Sequence, residues 1–199
     1  SIYTEVERMS KMCKLDADKT AVVLGCGMEG LLTVAALKTL GINKIIVIDK
    51  ESEKSRAMEF GAWEFIGSHG KNGVAGVKDK IRAAAGDMAD AVFICTDSPM
   101  GRNVARRFMK NSGSICEMGF LCGWRRTPIA RYFEDSMPAG GRFYAARDYE
   151  NCMNFLAKAA EMKLPLYKLI THRYKLEEIN EAMWTVVREE GLGIAVFNR

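Results

Sequence analysis

A short glycine-rich segment contains the residues of this sequence that could bind a phosphate-containing ligand. Residues 25–30 follow the pattern G-x-G-x-x-G, between a run of apolar residues and a helical pattern. In such a turn Gly25 would permit a tight bend, Gly27 would let the backbone approach a phosphate, and Gly30 would let the helix pack close to the sheet. The first turn of the helix would then present amide groups and the positive end of its dipole to that phosphate.

An acidic residue beyond this turn indicates which phosphate compound would bind. Asp49 ends a second apolar run, residues 44–49, and lies roughly 20 residues after the last glycine, as in the dinucleotide-binding fingerprint. Its carboxylate would accept hydrogen bonds from the adenosine ribose, and its charge would repel a 2′-phosphate, which favours NAD over NADP. Lys50 and Lys54 leave NADP open, because a nearby cation can accommodate the extra phosphate.

Other interpretations of the glycine segment stay open at this stage. Methyltransferases that use S-adenosylmethionine also combine a glycine-rich first turn with an acidic residue at the end of the second strand. Their sheet usually ends in a reversed strand, which this sequence does not indicate. The segment could also be a structural turn, or belong to a stand-alone, non-catalytic binding module. Within it, the Cys26 thiol could be activated by the helix N-terminus or could pack in the core.

Short apolar runs alternate with helical patterns along most of the chain. This alternation predicts an α/β fold, a doubly wound parallel sheet covered by helices on both faces. The predicted strands are residues 20–25, 44–49, 63–66, 91–95, 114–118 and a sixth at 142–145. The predicted helices are residues 31–40, 51–60, 78–85 and 99–110, with a turn at 111–113.

Two later segments have apolar residues at helical spacing, and we expect these residues to face the core. In the first segment they are Tyr149, Cys152, Met153, Leu156, Ala159 and Ala160. In the second they are Leu176, Ile179, Met183, Val186 and Val187.

Length and composition restrict the class of protein. The chain has 199 residues, of which 48% are hydrophobic and 27% charged, with a net charge of +4. This fits a single domain spanning residues 1–199, and the scattered charges do not indicate a nucleic-acid partner. The first twenty residues lack the apolar core of a signal peptide, and no apolar run is long enough to cross a bilayer. None of the six cysteines forms a C-x-x-C pair, so we expect a reducing, cytoplasmic location, with no membrane partner and no metal site.

Further segments, in a specific order and spacing, carry a family resemblance. They are residues 19–25, 30–32, 40–41, 49–50, 59–62, 89–92, 113–115, 118–119, 170–174 and 176–182. With these segments the chain resembles the coenzyme-binding half of medium-chain dehydrogenase/reductases over nearly its whole length. Within that family it is most similar to the zinc-dependent alcohol, polyol and threonine dehydrogenases.

The resemblance implies a fold, a cofactor and an assembly. It implies a six-stranded Rossmann sheet in the order 3-2-1-4-5-6, with NAD(H) lying across the strand ends and residues 143–147 near the nicotinamide. It also implies a homodimer, because the sixth strands of family members often pair across a two-fold axis. The residues predicted to bind the dinucleotide are Gly25, Gly27, Met28, Glu29, Gly30, Asp49, Lys50, Lys54, Thr96, Asp97, Gly119 and Phe120.

Two departures from the family pattern follow from the same comparison. Glu29 stands where the family usually has a small aliphatic residue, and a carboxylate beside the pyrophosphate path should weaken binding unless it points to solvent or pairs with a cation. The family's N-terminal, GroES-like catalytic domain, which supplies the zinc ligands, has no counterpart among these residues. We therefore expect a fragment of a longer enzyme that transfers hydride between a secondary alcohol or polyol and nicotinamide, with no catalytic or metal-binding residue in this part and no turnover by the isolated chain.

Overall fold

The computed structural model describes residues 2–68, 73–96, 99–118, 146, 148–188 and 192–197. The chain divides into two compact units, Ser1–Leu164 and Pro165–Arg199, referred to below as the first and second unit. In the described part of the chain, no helix combines the length and the apolar character needed to cross a membrane.

The first unit is built on a parallel sheet of five strands. The strands are β1 (Thr20–Leu24), β2 (Lys44–Asp49), β3 (Glu64–Gly67), β4 (Ala89–Ile94) and β5 (Met109–Glu117). Their order is β3-β2-β1-β4-β5, and every neighbouring pair is parallel. The chain thus builds outward from β1 in one direction through β2 and β3, and in the other direction through β4 and β5. The expected α/β sheet and the order of its first five strands are confirmed.

In the described parts of the first unit, six α-helices accompany this sheet. They are α1 (Ile2–Met12), α2 (Met28–Thr39), α3 (Lys54–Glu59), α4 (Gly73–Ala85), α5 (Pro99–Ala105) and α6 (Asp148–Glu161). Short 3-10 turns at Glu51–Glu53 and Arg106–Phe108 precede α3 and follow α5. Both α1 and α6 pack against α2.

Side chains on both faces of the sheet contact helices. Val22 of β1 belongs to one apolar cluster with Val77 and Ile81 of α4. Successive side chains of a strand point to opposite faces, so Phe93 and Cys95 lie on the other side from Val92. There Thr33 of α2 contacts Cys95. Helices therefore lie on both faces, as the continuous apolar runs predict.

A partly buried carboxylate stabilises the end of the sheet opposite the glycine turn. Asp90 Oδ2 accepts a hydrogen bond from the backbone amide of Thr20, at 2.9 Å. Its Oδ1 accepts another from the ammonium of Lys110, also at 2.9 Å, and lies 3.7 Å from Lys19 Nζ. Burial alone would raise the pKa of the Asp90 carboxyl, but these donors and charges lower it below its usual value of 3.8. One side chain thus ties together the starts of β1, β4 and β5.

The fifth strand differs from the prediction. The helix predicted to reach Lys110 and the turn predicted at residues 111–113 are wrong, because β5 already begins at Met109. Ala89 pairs with Met109 and Ala91 pairs with Ser114. The stretch of β5 from Met109 to Ser114 therefore lies opposite a shorter stretch of β4, from Ala89 to Ala91. The turn-like residues fill this bulge, which interrupts the pairing without ending the strand.

The beginning of the first unit also differs from the prediction, and one predicted strand is not tested. Helix α1 was not predicted, although Val6 and Met9 are buried at helical spacing. The sixth strand predicted at residues 142–145 lies outside the described residues, and the six-stranded sheet therefore stays a prediction.

The second unit is a small β-α-β arrangement. Strands β6 (Ile170–Lys175) and β7 (Gly193–Phe197) are parallel, with α7 (Ile179–Val187) between them in the chain. Short 3-10 turns at Leu166–Leu169 and Leu176–Glu178 precede β6 and α7. The hydroxyl groups of Tyr174 and Thr185 lie 2.8 Å apart and connect β6 with α7.

The apolar faces expected on the last two helices are largely wrong. In α6 the buried apolar residues are Phe155 and Ala159, whereas Tyr149 is 70% exposed. The face is set by packing against α1, where the ring of Tyr3 stacks on that of Phe155 with centroids 4.7 Å apart. In α7 only Ala182 and Thr185 are buried. The predicted core residues of these two segments that are exposed instead are Tyr149, Met153, Leu156, Ala160, Leu176, Ile179, Met183, Val186 and Val187. Ala159 is buried as predicted, and Cys152 is half-buried.

Candidate functional site

The glycine turn lies at the carboxyl end of β1, where it meets the ends of β2 and β4. Gly25 has a φ of +100°, which L side chains rarely adopt, and a Cβ atom there would lie 2.5 Å from the carbonyl oxygen of Cys95. Its amide donates a hydrogen bond of 3.0 Å to the carbonyl oxygen of Ile48. A Cβ atom on Gly30 would collide with the Gly25 carbonyl oxygen. These two glycines are therefore required by the fold itself, as predicted for a tight turn and close packing.

The middle glycine is different. A Cβ atom built on Gly27 would meet no atom of the described residues within 4 Å, and its φ of −71° is accessible to any residue. Neither sterics nor backbone conformation in the described structure demands glycine at this position. The open space in front of Gly27 is a cradle that a side chain would fill and that a phosphate group could occupy.

Helix α2 begins at this cradle. Gly27 is its N-cap and supplies no side-chain cap, and the first hydrogen bond within the helix runs from the Leu31 amide to the Gly27 carbonyl. The amides of Met28 and Glu29 have no carbonyl acceptor in the preceding turn of their own helix. They lie at the positive end of the helix dipole, which is where proteins bind phosphates.

Asp49 joins the end of β2 to the glycine turn. Its Oδ2 accepts a hydrogen bond of 2.6 Å from the Cys26 amide, and its Oδ1 accepts one of 2.7 Å from the Lys50 amide. A carboxylate has about four acceptor positions, so two amides leave capacity for further donors such as ribose hydroxyls. The structure thus brings Asp49 and the glycine segment together, at the spacing that the sequence suggested.

The lysines after Asp49 lie among acidic residues. Lys50 is exposed, and Lys54 Nζ lies 3.7 Å from an Oε1 atom of Glu51. One turn later, Arg56 donates a hydrogen bond of 2.6 Å to Glu53. The cations that could accommodate a 2′-phosphate are therefore mixed with carboxylates near the end of β2.

Cys26 is a packing residue in this turn. Only 2% of its surface is exposed, and its Sγ lies 4.0 Å from the Glu53 carbonyl oxygen. Burial, together with the charges of Asp49 and Glu53, raises the pKa of this thiol to about 12. The thiolate is the reactive form of cysteine. Of the two interpretations offered for Cys26, the structure therefore favours packing over an activated thiol.

The carboxyl end of β4 forms the other side of the cradle. The Cys95 amide donates a hydrogen bond of 2.8 Å to the Leu24 carbonyl, and a Cβ atom on Gly25 would lie 3.2 Å from the Thr96 Cβ. Thr96 is thus next to the glycine turn. The remaining predicted groove residues, Asp97, Gly119 and Phe120, lie outside the described residues, as do residues 143–147 apart from Ala146.

Glu29 lies one turn before Thr33 on the same face of α2. Its carbonyl oxygen accepts a hydrogen bond of 2.8 Å from the hydroxyl of Thr33, one turn further along the helix. That hydroxyl lies 3.5 Å from the Sγ of Cys95. Burial, and then the charge of Glu29, raise the pKa of the Cys95 thiol, which stands at about 12. Thr33 was not among the predicted site residues, although its four-residue spacing from Glu29 places both on one helix face.

The described residues include no group of three or more histidine, cysteine or acidic side chains that could hold a metal ion. The arrangement that they do form could accept an anion at the start of α2, with Asp49 on one side and the end of β4 on the other. The described part of the chain offers no nucleophile–base pair beside it.

Comparison with known proteins identifies the family of this chain. The chain matches the family model described as zinc-binding dehydrogenase over residues 30–158. Sorbitol dehydrogenase 1 of Saccharomyces cerevisiae is 30% identical over 166 residues, which cover 81% of this chain and 46% of that enzyme. D-xylulose reductase of Scheffersomyces stipitis is 26% identical over 181 residues, which cover 87% of this chain and 49% of that enzyme.

A solved structure supports the fold. An alcohol dehydrogenase from Thermotoga maritima superposes with a TM-score of 0.84 at 20% identity, and the match covers 99% of this chain and 55% of that one. The chain therefore spans about half the length of the curated relatives that it matches. Because the family model matches well over half of its residues, the chain belongs to the zinc-binding dehydrogenase family.

Proposed function

We propose that the first unit binds NAD(H) across the carboxyl ends of β1, β2 and β4. The observation that carries this proposal is the open cradle at Gly27, where no other described residue comes close enough to require glycine. Beside it, Asp49 already accepts the Cys26 and Lys50 amides and keeps acceptor capacity for ribose hydroxyls. When bound, nicotinamide would exchange a hydride with the substrate, while this chain would bind and orient the cofactor.

We also propose that NAD is preferred over NADP. The Asp49 carboxylate would repel a 2′-phosphate, and the acidic residues Glu51 and Glu53 accompany the cations Lys54 and Arg56. A phosphate on the ribose would have to compete with these carboxylates for the same cations. We expect NADH to bind more tightly than NADPH for this reason.

The activity of the whole protein is proposed from its relatives. Sorbitol dehydrogenase and D-xylulose reductase act on polyols and ketoses by name, and this chain matches about half of each. We propose that the complete protein is an alcohol or polyol dehydrogenase whose other half provides the zinc site and most of the substrate pocket. We further propose that the protein forms a homodimer, on the family pattern alone. A measurement of its molar mass in solution would test this oligomeric state.

A titration of the purified chain with NADH and NADPH tests the binding proposal. Binding is followed by nicotinamide fluorescence or by the heat released. We expect NADH to bind with higher affinity than NADPH. The variant Gly27→Ala should lower the thermal midpoint only slightly, because its methyl group meets no atom of the described residues and alanine is only a poorer N-cap than glycine. Its NADH affinity should fall about tenfold or more.

The outcomes separate the proposal from its alternatives. Equal NADH affinity in wild type and Gly27→Ala would show that the cradle is not the binding site. Binding of S-adenosylmethionine with no binding of either dinucleotide would replace the proposal by a methyltransferase function. Hydride transfer by the zinc-loaded 199-residue chain alone would overturn the need for another half.

A further inference from the structure

Different residues lie on the two sides of the glycine turn. On one side, Asp49 at the end of β2 contacts the Cys26 amide. On the other side, the hydroxyl of Thr33 in α2 lies 3.5 Å from Cys95 Sγ, just beyond β4. Glu29 lies one turn earlier on the same face of this helix, because residues four apart are neighbours on a helix surface. The turn therefore has one carboxylate on the β2 side and another, Glu29, on the β4 side.

The sheet topology says which part of a dinucleotide would meet each side. The chain builds outward from β1 in one direction to β2 and in the other to β4, so the crevice between the ends of β1 and β4 is the point where the strand order reverses. A dinucleotide lies across this crevice, with one nucleotide on each half of the sheet. If Asp49 receives the adenosine ribose, as proposed above, the nicotinamide half lies on the side of β4 and Glu29.

A carboxylate on that side would act on a charge that changes during the reaction. The oxidised nicotinamide ring carries one positive charge, which is lost when the ring accepts a hydride. A fixed negative charge nearby stabilises the cationic ring and does not stabilise the neutral one, and the effect is stronger in a partly buried site than in water. By contrast, repulsion of the pyrophosphate would weaken both forms equally.

We propose that Glu29 determines the redox-state preference of this site, favouring the oxidised dinucleotide over the reduced one. The inference rests on the proposed NAD-binding function and adds a specificity-determining residue to it. A small aliphatic residue at the same position would leave that preference to the rest of the groove. Here the first turn of α2 contributes to it through a side chain as well as through its amides.

The test compares three ligands in three proteins. Affinities for NAD⁺, NADH and ADP-ribose are measured by calorimetry for wild type, Glu29→Gln and the control Glu161→Gln. The control makes the same chemical change at the exposed last residue of α6. We expect Glu29→Gln to shift the ratio of NADH to NAD⁺ affinity toward NADH, on the order of tenfold, and Glu161→Gln to leave that ratio unchanged.

Two results would overturn the inference, and they differ from each other. If Glu29→Gln raises the affinity for all three ligands by the same factor, the carboxylate acts on the pyrophosphate and not on the nicotinamide. The proposed function then stands. If neither dinucleotide binds to wild type or to Glu29→Gln, and circular dichroism shows native protein, the proposed function fails together with the inference.

Discussion

The two units use the same local motif in very different surroundings. In the first unit, β1 and β2 are parallel strands joined by α2, and all five residues of β1 are buried. In the second unit, β6 and β7 are parallel strands joined by α7, yet no residue of either strand is buried. Parallel strands normally occur where both faces of the sheet are covered. The first unit meets this condition with its own residues, and the second unit does not.

The difference shows where the stability of this chain must come from. An isolated pair of strands is marginally stable in water, and three or more strands or further packing are needed for independent stability. The second unit exposes large side chains, among them Trp184 at 56% and Phe197 at 51%. We therefore expect the first unit to carry most of the free energy of unfolding.

Truncating one phenylalanine in each unit is the strongest test of this comparison. Phe93 in β4 is fully buried, so Phe93→Ala should lower the free energy of unfolding by about 3–5 kcal/mol. Phe197→Ala, in the half-exposed end of β7, should cost less than about 1 kcal/mol. Urea unfolding followed by circular dichroism measures both. Similar losses in the two variants would mean that the core of the second unit contributes as much to the free energy of unfolding as that of the first.

Removing the Asp90 carboxylate should have an intermediate effect. Asp90→Asn loses charge-assisted bonds to Thr20 and Lys110, and at pH 7 it should lose about 1–2 kcal/mol of stability. The pKa of Asp90 is lowered in the folded protein, so its contribution is complete above the usual value of 3.8 and disappears as the pH falls below it. Wild type and variant should therefore converge in stability in strong acid.

A matched change in the second unit controls this experiment. Glu177→Gln removes an exposed carboxylate next to α7, and we expect a change within about 0.5 kcal/mol at any pH where the protein is folded. Unfolding curves collected between pH 7 and pH 2 compare the two variants. A gap between wild type and Asp90→Asn that persists unchanged to the lowest pH would contradict the assigned ion pairs.

The smallest effect is expected on the exposed face of α7. Val187 is 64% exposed, so Val187→Ser should change the free energy of unfolding by less than about 0.5 kcal/mol. The same change should reduce binding of a hydrophobic dye, because it removes part of a surface that includes Met183 and Val186. A loss of more than about 1.5 kcal/mol would show that this face is packed, and the contrast between the units would then disappear.

The sequence was sufficient for the features that depend on one strand or one turn. The five strands of the first unit are recognisable because continuous apolar runs such as residues 44–49 are typical of strands buried on both faces. The pairing of Asp49 with the glycine turn followed from the spacing of a known fingerprint.

Features that depend on distant partners could not be predicted in the same way. Residues 111–113 look like a turn, and only their pairing opposite β4 makes them a bulge. Helical periodicity finds the apolar stripe of α6 but cannot tell that Phe155, next to Tyr3, defines the buried side. The contact of Thr33 with Cys95 likewise depends on how α2 lies across the sheet.

The central place of β1 also affects the order in which the protein can be assembled during synthesis. One edge of β1 pairs with β2, which leaves the ribosome soon afterwards, but the other edge pairs with β4 and waits for residues 89–94. At roughly 5–20 residues per second, that interval lasts a few seconds. During this time the apolar strand at the middle of the finished sheet is an edge strand, and it presents unpaired backbone groups to any other nascent chain.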